Sequence, residues 1–156
     1  ELPQPVVARI HGHCYTGGLE LALAADIIIA ARSAMFGDTH SKWGLSPLWG
    51  MTLRLPRRVG LSKAKQMMFT SDIFAAEAAE RMGLVDICVD DVELEQATND
   101  LAQRIAANST YSNQVNKSLL GATDGMTAQA GLAYELAHSP GACYDARDRV
   151  ASFGKK

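Results

Sequence analysis

Two apolar runs close to the start of the chain constrain its fold more than any other feature. Pro5-Val6-Val7-Ala8-Arg9-Ile10 reads as a short buried strand entered from a proline. Ile27-Ile28-Ile29-Ala30 reads as a second. Between them lie a glycine-punctuated loop, residues 11–18, and a run of strong helix formers, Leu19-Glu20-Leu21-Ala22-Leu23-Ala24-Ala25, which Asp26 stops. A strand, a helix and a second strand in that order form a crossover unit, which demands a parallel sheet and places the chain in the α/β class.

The remainder divides in two. Residues 34–48 read as irregular, broken by Gly37, Gly44 and Pro47. Helical stretches follow near 49–58, 61–70 and 75–82, and Leu84-Val85-Asp86-Ile87-Cys88-Val89 reads as a late strand. Beyond it Leu94, Ala97, Leu101 and Ile105 recur at helical spacing, and further helices are expected near 111–121, 126–138 and 141–153. The expected organisation is an α/β core over residues 1–107 and a helical region over 108–156.

Charge and composition remove several functions. The net charge is −2, which gives no electrostatic footprint for nucleic acid. The longest apolar candidate for a membrane span, Leu19 to Ala31, is too short and contains Glu20 and Asp26. Cys14, Cys88 and Cys143 fit no disulfide or zinc spacing, which points to a reducing compartment and a cytoplasmic location. The first residue is Glu1, with no signal peptide ahead of it, so the start reads as a processed or truncated end. Charge is also segregated: residues 39–71 hold six basic residues and no acid, and residues 72–100 hold nine acids and only Arg81. Two helix faces that pair with each other explain this, and so does a local anion site for a phosphorylated ligand.

The chemistry-bearing stretch is His11-Gly12-His13-Cys14-Tyr15-Thr16-Gly17-Gly18-Leu19-Glu20. Glycines ahead of a helix leave backbone N–H groups approachable, and the helix dipole adds partial positive charge there. Such a place suits a phosphate or a developing oxyanion. The stretch lacks the elements of a P-loop and of a dinucleotide fingerprint. On pattern alone Glu20, in the first helical turn, reads as a surface residue complementing the dipole. His11 and His13 lack further ligands at metal spacing, so no metal site is expected, and they read as loop residues packing the site. Trp43 and Trp49, which bracket Pro47, read as core residues.

Taken together, Pro5-Val6-Val7-Ala8-x-Ile10-x-Gly12 and Gly17-Gly18-x-Glu20-Leu21-Ala22-Leu23-Ala24-x-Asp26 resemble the signature of the enoyl-CoA hydratase/isomerase (crotonase) family. Further blocks agree in order and spacing: Ala34-x-Phe36-Gly37, Gly44-Leu45-x-Pro47, Gly50-x-Thr52-x-Arg54-Leu55-Pro56-Arg57-x-Val59-Gly60, Ala75-x-Glu77-Ala78 and Gly83-Leu84-Val85. The ending from Arg149 through Phe153 to Lys156 resembles the family's last helix.

The resemblance implies a crotonase-like (ClpP/crotonase) α/β fold with a ββα-type core and a C-terminal helical trimerisation region. The implied substrate is an acyl-CoA thioester of fatty acid metabolism, with coenzyme A entering as part of the substrate and no separate cofactor. The implied reaction is hydration of a 2-enoyl-CoA. Alternatives are another enolate-stabilising reaction on CoA esters (hydrolysis, decarboxylation or double-bond migration) and a non-catalytic acyl-CoA-binding homologue. Gly17 is the position of one oxyanion N–H donor, and its companion donor belongs upstream of residue 1, so the chain reads as a C-terminal portion of the domain. Glu20 matches the first of two acid/base carboxylates. The second is replaced: in Phe36-Gly37-Asp38-Thr39-His40 the position is His40. A histidine can transfer protons near neutral pH, and Asp38, two residues away, can share its face in an extended segment. The same substitution suits an altered or inactive site. Gly18, Trp43, Pro47, Trp49, Phe153 and Lys155 are implied substrate-binding positions, and a trimer or dimer of trimers is the implied assembly. Two departures from the family pattern are Thr16, in place of a glycine, and Phe74, where a Ser or Thr helix cap is usual.

Overall fold

The structure, a computed structural model, describes residues 2–153. It divides into two units, one of residues 6–104 and one formed by residues 2–5 with 105–153.

In the first unit, β1 (Val7–Ile10), β3 (Ile27–Ala31) and β6 (Ile87–Val89) form a wholly parallel sheet with β3 in the middle. Val7 pairs with Ile27, and Ile29 pairs with Ile87. The isoleucine run in β3 has a direct cause. Ile28 and Ala30 face a large core with Leu19, Leu23, Phe36, Leu55, Met67 and Leu84, whereas Ile29 and Ala31 face a smaller cluster built on Leu94. A strand covered on both faces reads as continuous apolar sequence rather than alternation. The outer strand β1 is only half-buried, and Arg9 on it is exposed.

A second, smaller sheet was not apparent in the sequence. β2 (His13–Tyr15) lies within the expected loop and β4 (Met35–Gly37) within the expected irregular segment. They pair in parallel, and β4 also pairs antiparallel with the two-residue β5 (Phe74–Ala75). Gly37 is closely packed there. A Cβ on it would lie 2.5 Å from Ile73 Cδ1, which would have to move, and 3.1 Å from the Asp72 carbonyl oxygen, tighter than most real contacts.

Helix α1 (Gly17–Ala22) starts two residues earlier than its helix formers suggest, and single turns carry it on to Ala25. It is followed by α2 (Met51–Val59), α3 (Leu61–Thr70), α4 (Ala76–Arg81) and α5 (Leu94–Ala107). Short 3-10 turns cover Ser41–Trp43 and Asp91–Glu93. The N-cap of α4 is Ala75, which offers no side-chain cap, one residue after the position expected; Phe74 instead pairs with Phe36 in the sheet. The expected late strand contracts to Ile87–Val89, because Leu84 and Val85 turn into the core ahead of it. The charged stretches meet at Arg58, which donates to Asp86 at 2.8 Å and to the carbonyl oxygen of Asp26 at 3.0 Å.

The second unit contains α6 (Thr110–Thr123), α7 (Ala128–His138) and α8 (Ala146–Ser152). Ser109 and Thr127 cap α6 and α7, each accepting an N–H from three residues on. Lys117 donates to the Gln4 carbonyl oxygen at 2.9 Å, tying the N-terminal residues to α6. The expected helix from 141 begins only at Ala146; Gly141 has φ +78° and Cys143 donates to Asp145. None of the described residues in these three helices is buried. No described helix is long and apolar enough to cross a membrane.

Cys14 sits in β2 inside the large core, and burial pushes its thiol up to about 11 from 9.0. A thiol held protonated in the folded state gives stability that is complete below pH 9 and lost as the pH rises toward 11. Guanidinium unfolding should therefore show the stability advantage of the wild type over Cys14→Ala shrinking across that window. A difference independent of pH would contradict this.

Candidate active site

Parallel strands point the same way, so the segments leaving β2 and β4 emerge at one edge. Tyr15 pairs with Gly37, and the next residue, Thr16, donates its N–H to the Gly37 carbonyl oxygen at 3.0 Å. Thr16 Oγ1 and Thr39 Oγ1 share a further hydrogen bond. The start of α1 and the residues 38–40 are thereby fastened side by side.

This brings Glu20 and His40 together. Glu20 is 3% exposed, which removes the reading of a surface carboxylate. It lies on the inward face of α1 with Leu19, Ala22 and Leu23. Its Oε1 accepts the backbone N–H of Trp49 at 2.8 Å and of Met51 at 3.2 Å. Met51 is the first residue of α2, whose N-cap is Gly50 at φ +103°, a residue with no side chain to cap the helix. Glu20 therefore satisfies an orphan donor of a neighbouring helix, and its negative charge complements that helix's dipole. The other oxygen, Oε2, is 3.7 Å from His40 Nε2. His40 is also buried, and its Nδ1 is 2.5 Å from Asp38 Oδ1. The carbonyl oxygen of His40 accepts the N–H groups of Trp43 and Leu45, which fixes the backbone beneath the ring.

Gly17 opens α1, and its N–H meets no acceptor among the described residues. The Trp49 ring lies over it, and a Cβ added at Gly17 would stand 3.0 Å from Trp49 Cζ3. Gly18 is exposed beside it. Trp43 and Trp49 are not core residues; they are 65% and 59% exposed, and Pro47 between them is half-buried. The backbone explains this, since the 3-10 turn and the left-handed Gly44 and Gly50 carry residues 43–50 over the surface. His11 and His13 are exposed and do not pack the site; His13 stacks on Tyr15 instead. Among the described residues no group of three or more His, Cys, Asp or Glu is arranged to hold a metal ion. Phe153 is exposed at the end of α8, and Lys155 lies outside the described residues.

The Glu20 clamp escaped sequence reading because its donors are backbone groups, which leave no residue signature. Thr39 was likewise missed.

A family model described as enoyl-CoA hydratase/isomerase matches residues 1–145. The chain belongs to this family. It is 35% identical over 135 residues to a probable peroxisomal enoyl-CoA hydratase of Arabidopsis thaliana, covering 86% of this chain and 50% of that protein. It is 35% identical over 149 residues to a crotonyl-CoA hydratase of Syntrophomonas wolfei, covering 95% and 56%. A crystal structure of an enoyl-CoA hydratase from Bacillus anthracis superposes with a TM-score of 0.94 at 33% identity, over 99% of this chain and 61% of that one. The fold is therefore crotonase-like, as the sequence pattern implied. The chain spans half to about three-fifths of the length of these relatives.

Thr16 is one of two non-glycine residues with positive φ among the described residues, at φ +50° and ψ −115°. This is a costly backbone for a β-branched residue. It is held by the Gly37 and Thr39 hydrogen bonds. Thr16→Ala keeps the strain and loses the hydroxyl, whereas Thr16→Gly loses both. Thr16→Gly should thus be more stable than Thr16→Ala by about 1 kcal/mol in denaturant unfolding. Equal stabilities would argue against strain at this position.

Proposed function

We propose that the protein acts as a 2-enoyl-CoA hydratase, on an acyl-CoA thioester whose coenzyme A is part of the substrate. The observation that carries this reading is the pair of proton-handling side chains, Glu20 Oε2 and His40 Nε2, 3.7 Å apart and buried beside the open N–H of Gly17. Two acceptors at this spacing can both take hydrogens from one water molecule, each at ordinary hydrogen-bond length. The water oxygen then bonds to the β-carbon. The double-bond electrons move toward the thioester carbonyl, whose oxygen becomes an enolate facing the Gly17 N–H. The proton released by water passes to His40 Nε2 and returns to the α-carbon, so that one water is added with no oxidant or reductant.

In this reading Glu20 orients the water and His40 carries the proton. Gly17 is one of the donors to the oxyanion. Loss of one such donor typically costs about 2.7–4 kcal/mol of transition-state stabilisation. Gly18, Trp43, Pro47 and Trp49 border the acyl group, and the exposed indoles limit its length. The resemblance assigns Phe153, and Lys155 outside the described residues, to coenzyme A or a subunit boundary. No part of the reading calls on nucleic acid, membrane or metal, and a cytoplasmic location suits three cysteines that are all free thiols.

The test is turnover of crotonyl-CoA by the full-length protein. Hydration is expected, and Glu20→Gln should abolish it with CoA-ester binding retained, because the amide oxygen can still accept the Trp49 and Met51 N–H groups. Unchanged turnover would remove Glu20 from the mechanism. Crotonyl-CoA binding without any turnover by the wild type would favour the non-catalytic homologue, which the histidine in place of a carboxylate makes the specific rival.

The helices after Asn108 support a second element of the proposal, a homotrimer or dimer of trimers. Leu120, Leu132, Leu136, Val150 and Phe153 are all largely exposed. Short helices gain most of their stability by packing an apolar face. Sedimentation of the full-length protein at micromolar concentration should give a trimer or hexamer, and a monomer would exclude this assembly.

A further inference from the structure

We infer that Asp38 is a positioning residue that selects the ring tautomer of His40, and so decides which nitrogen faces Glu20. The inference rests on the hydratase reading for its consequence, but the tautomer itself rests on geometry alone. Asp38 is fully buried at the end of β4. A carboxylate oxygen can only accept. Asp38 Oδ1 accepts the backbone N–H of His40 at 3.2 Å and lies 2.5 Å from Nδ1 of the same residue, so Nδ1 is the nitrogen that carries hydrogen. In the neutral ring Nε2 is then a bare lone pair.

The opposite face of the ring agrees. Nε2 and Glu20 Oε2 stand 3.7 Å apart, beyond direct hydrogen-bond length. Two acceptors keep such a distance, and a single donor beside the pair can serve both. Asp38 and Glu20 are the carboxylates within 4 Å of the ring among the described residues. Asp38 sits on the far side, so its effect on the water or substrate passes through the imidazole. When Nε2 takes up a proton, the resulting cation lies between the two carboxylates.

A second feature sets Asp38 apart from a simple structural brace. Its Oδ2 is buried and has no hydrogen-bond partner among the described residues. A buried polar atom left unpaired opposes folding. Residues chosen for packing rarely carry that burden, whereas residues that serve a reaction do.

Full-length protein labelled with ¹⁵N in the histidine ring tests the inference without any ligand. Above the pH at which the ring becomes neutral, the ¹⁵N shifts of His40, assigned by comparison with His40→Gln, should show hydrogen on Nδ1. Asp38→Ala should move that hydrogen largely to Nε2, the form a free imidazole prefers. Asp38→Asn offers an amide oxygen to the same two donors and should keep the Nδ1–H form. In turnover of crotonyl-CoA, Asp38→Ala should lower kcat by about 100-fold, the scale of a lost acid/base contribution, with KM little changed. Hydrogen on Nε2 in the wild type would overturn the inference whatever the turnover. So would wild-type kcat in both Asp38 variants of an active enzyme. A wild type with hydrogen on Nδ1 and no turnover would uphold the tautomer assignment and sink the hydratase reading instead, so the two failures are distinguishable.

Discussion

The site depends on a ladder of three residue pairs, β2 against β4. These strands are too short to contribute much stability, yet their parallel pairing decides which parts of the chain meet. Tyr15 opposite Gly37 places the start of α1 next to residues 38–40, and the Thr16 N–H extends the ladder one step beyond the strands. Residues twenty apart in sequence, Glu20 and His40, come within 4 Å because each lies a few residues past its strand. An antiparallel pairing would have sent the two segments to opposite edges. The close packing at Gly37 belongs to the same constraint, since a side chain there would push β4 away from Asp72 and Ile73.

Glu20 shows how one residue can serve fold and site together. One carboxylate oxygen holds the first turn of α2 through Trp49 and Met51, and the other faces His40. The hydrogen bonds on one oxygen orient the other. With Oε1 fixed by two backbone donors, the carboxylate has little freedom to rotate Oε2 away from the ring. Arg54 reinforces the arrangement by donating to the Trp49 carbonyl oxygen at 2.5 Å, so the loop that clamps Glu20 is itself clamped from inside α2.

The sequence made the larger architecture legible where burial imposes a pattern. The Ile27–Ala31 run is apolar because cores lie on both of its faces, and a reader of the sequence recovers that strand, its partner and the helix between them. The small sheet escaped because three residues cannot display a period, and β2 and β4 sit among glycines that mark loops. The tryptophans mislead for a different reason. Large apolar side chains are usually buried, but residues 43–50 follow left-handed glycines across the surface, so Trp43 and Trp49 stay exposed. Glu20 and His40 could be picked out by their place in the family pattern. That Glu20 is buried, and by what it is held, could not, because its partners are main-chain N–H groups that any residue supplies.

An imidazole at position 40, where the resemblance implies a carboxylate, changes what the neighbourhood must provide. A carboxylate presents two equivalent oxygens and can turn either toward a substrate without altering its hydrogen-bonding character. An imidazole has two nitrogens of opposite character when neutral, one a donor and one an acceptor, and exchanging them changes what the site can do. A histidine at position 40 thus needs a nearby group that discriminates between them. In an extended segment the residue two positions earlier points to the same side. Asp38 occupies that position, with an oxygen on Nδ1 and on the backbone N–H of the same histidine. The histidine and this carboxylate fit within three consecutive residues, Asp38-Thr39-His40, of which the middle one ties the segment to Thr16 beside Gly17. Geometry set by a tripeptide in this way requires no change in the surrounding core, and that core retains the fold shared with its relatives.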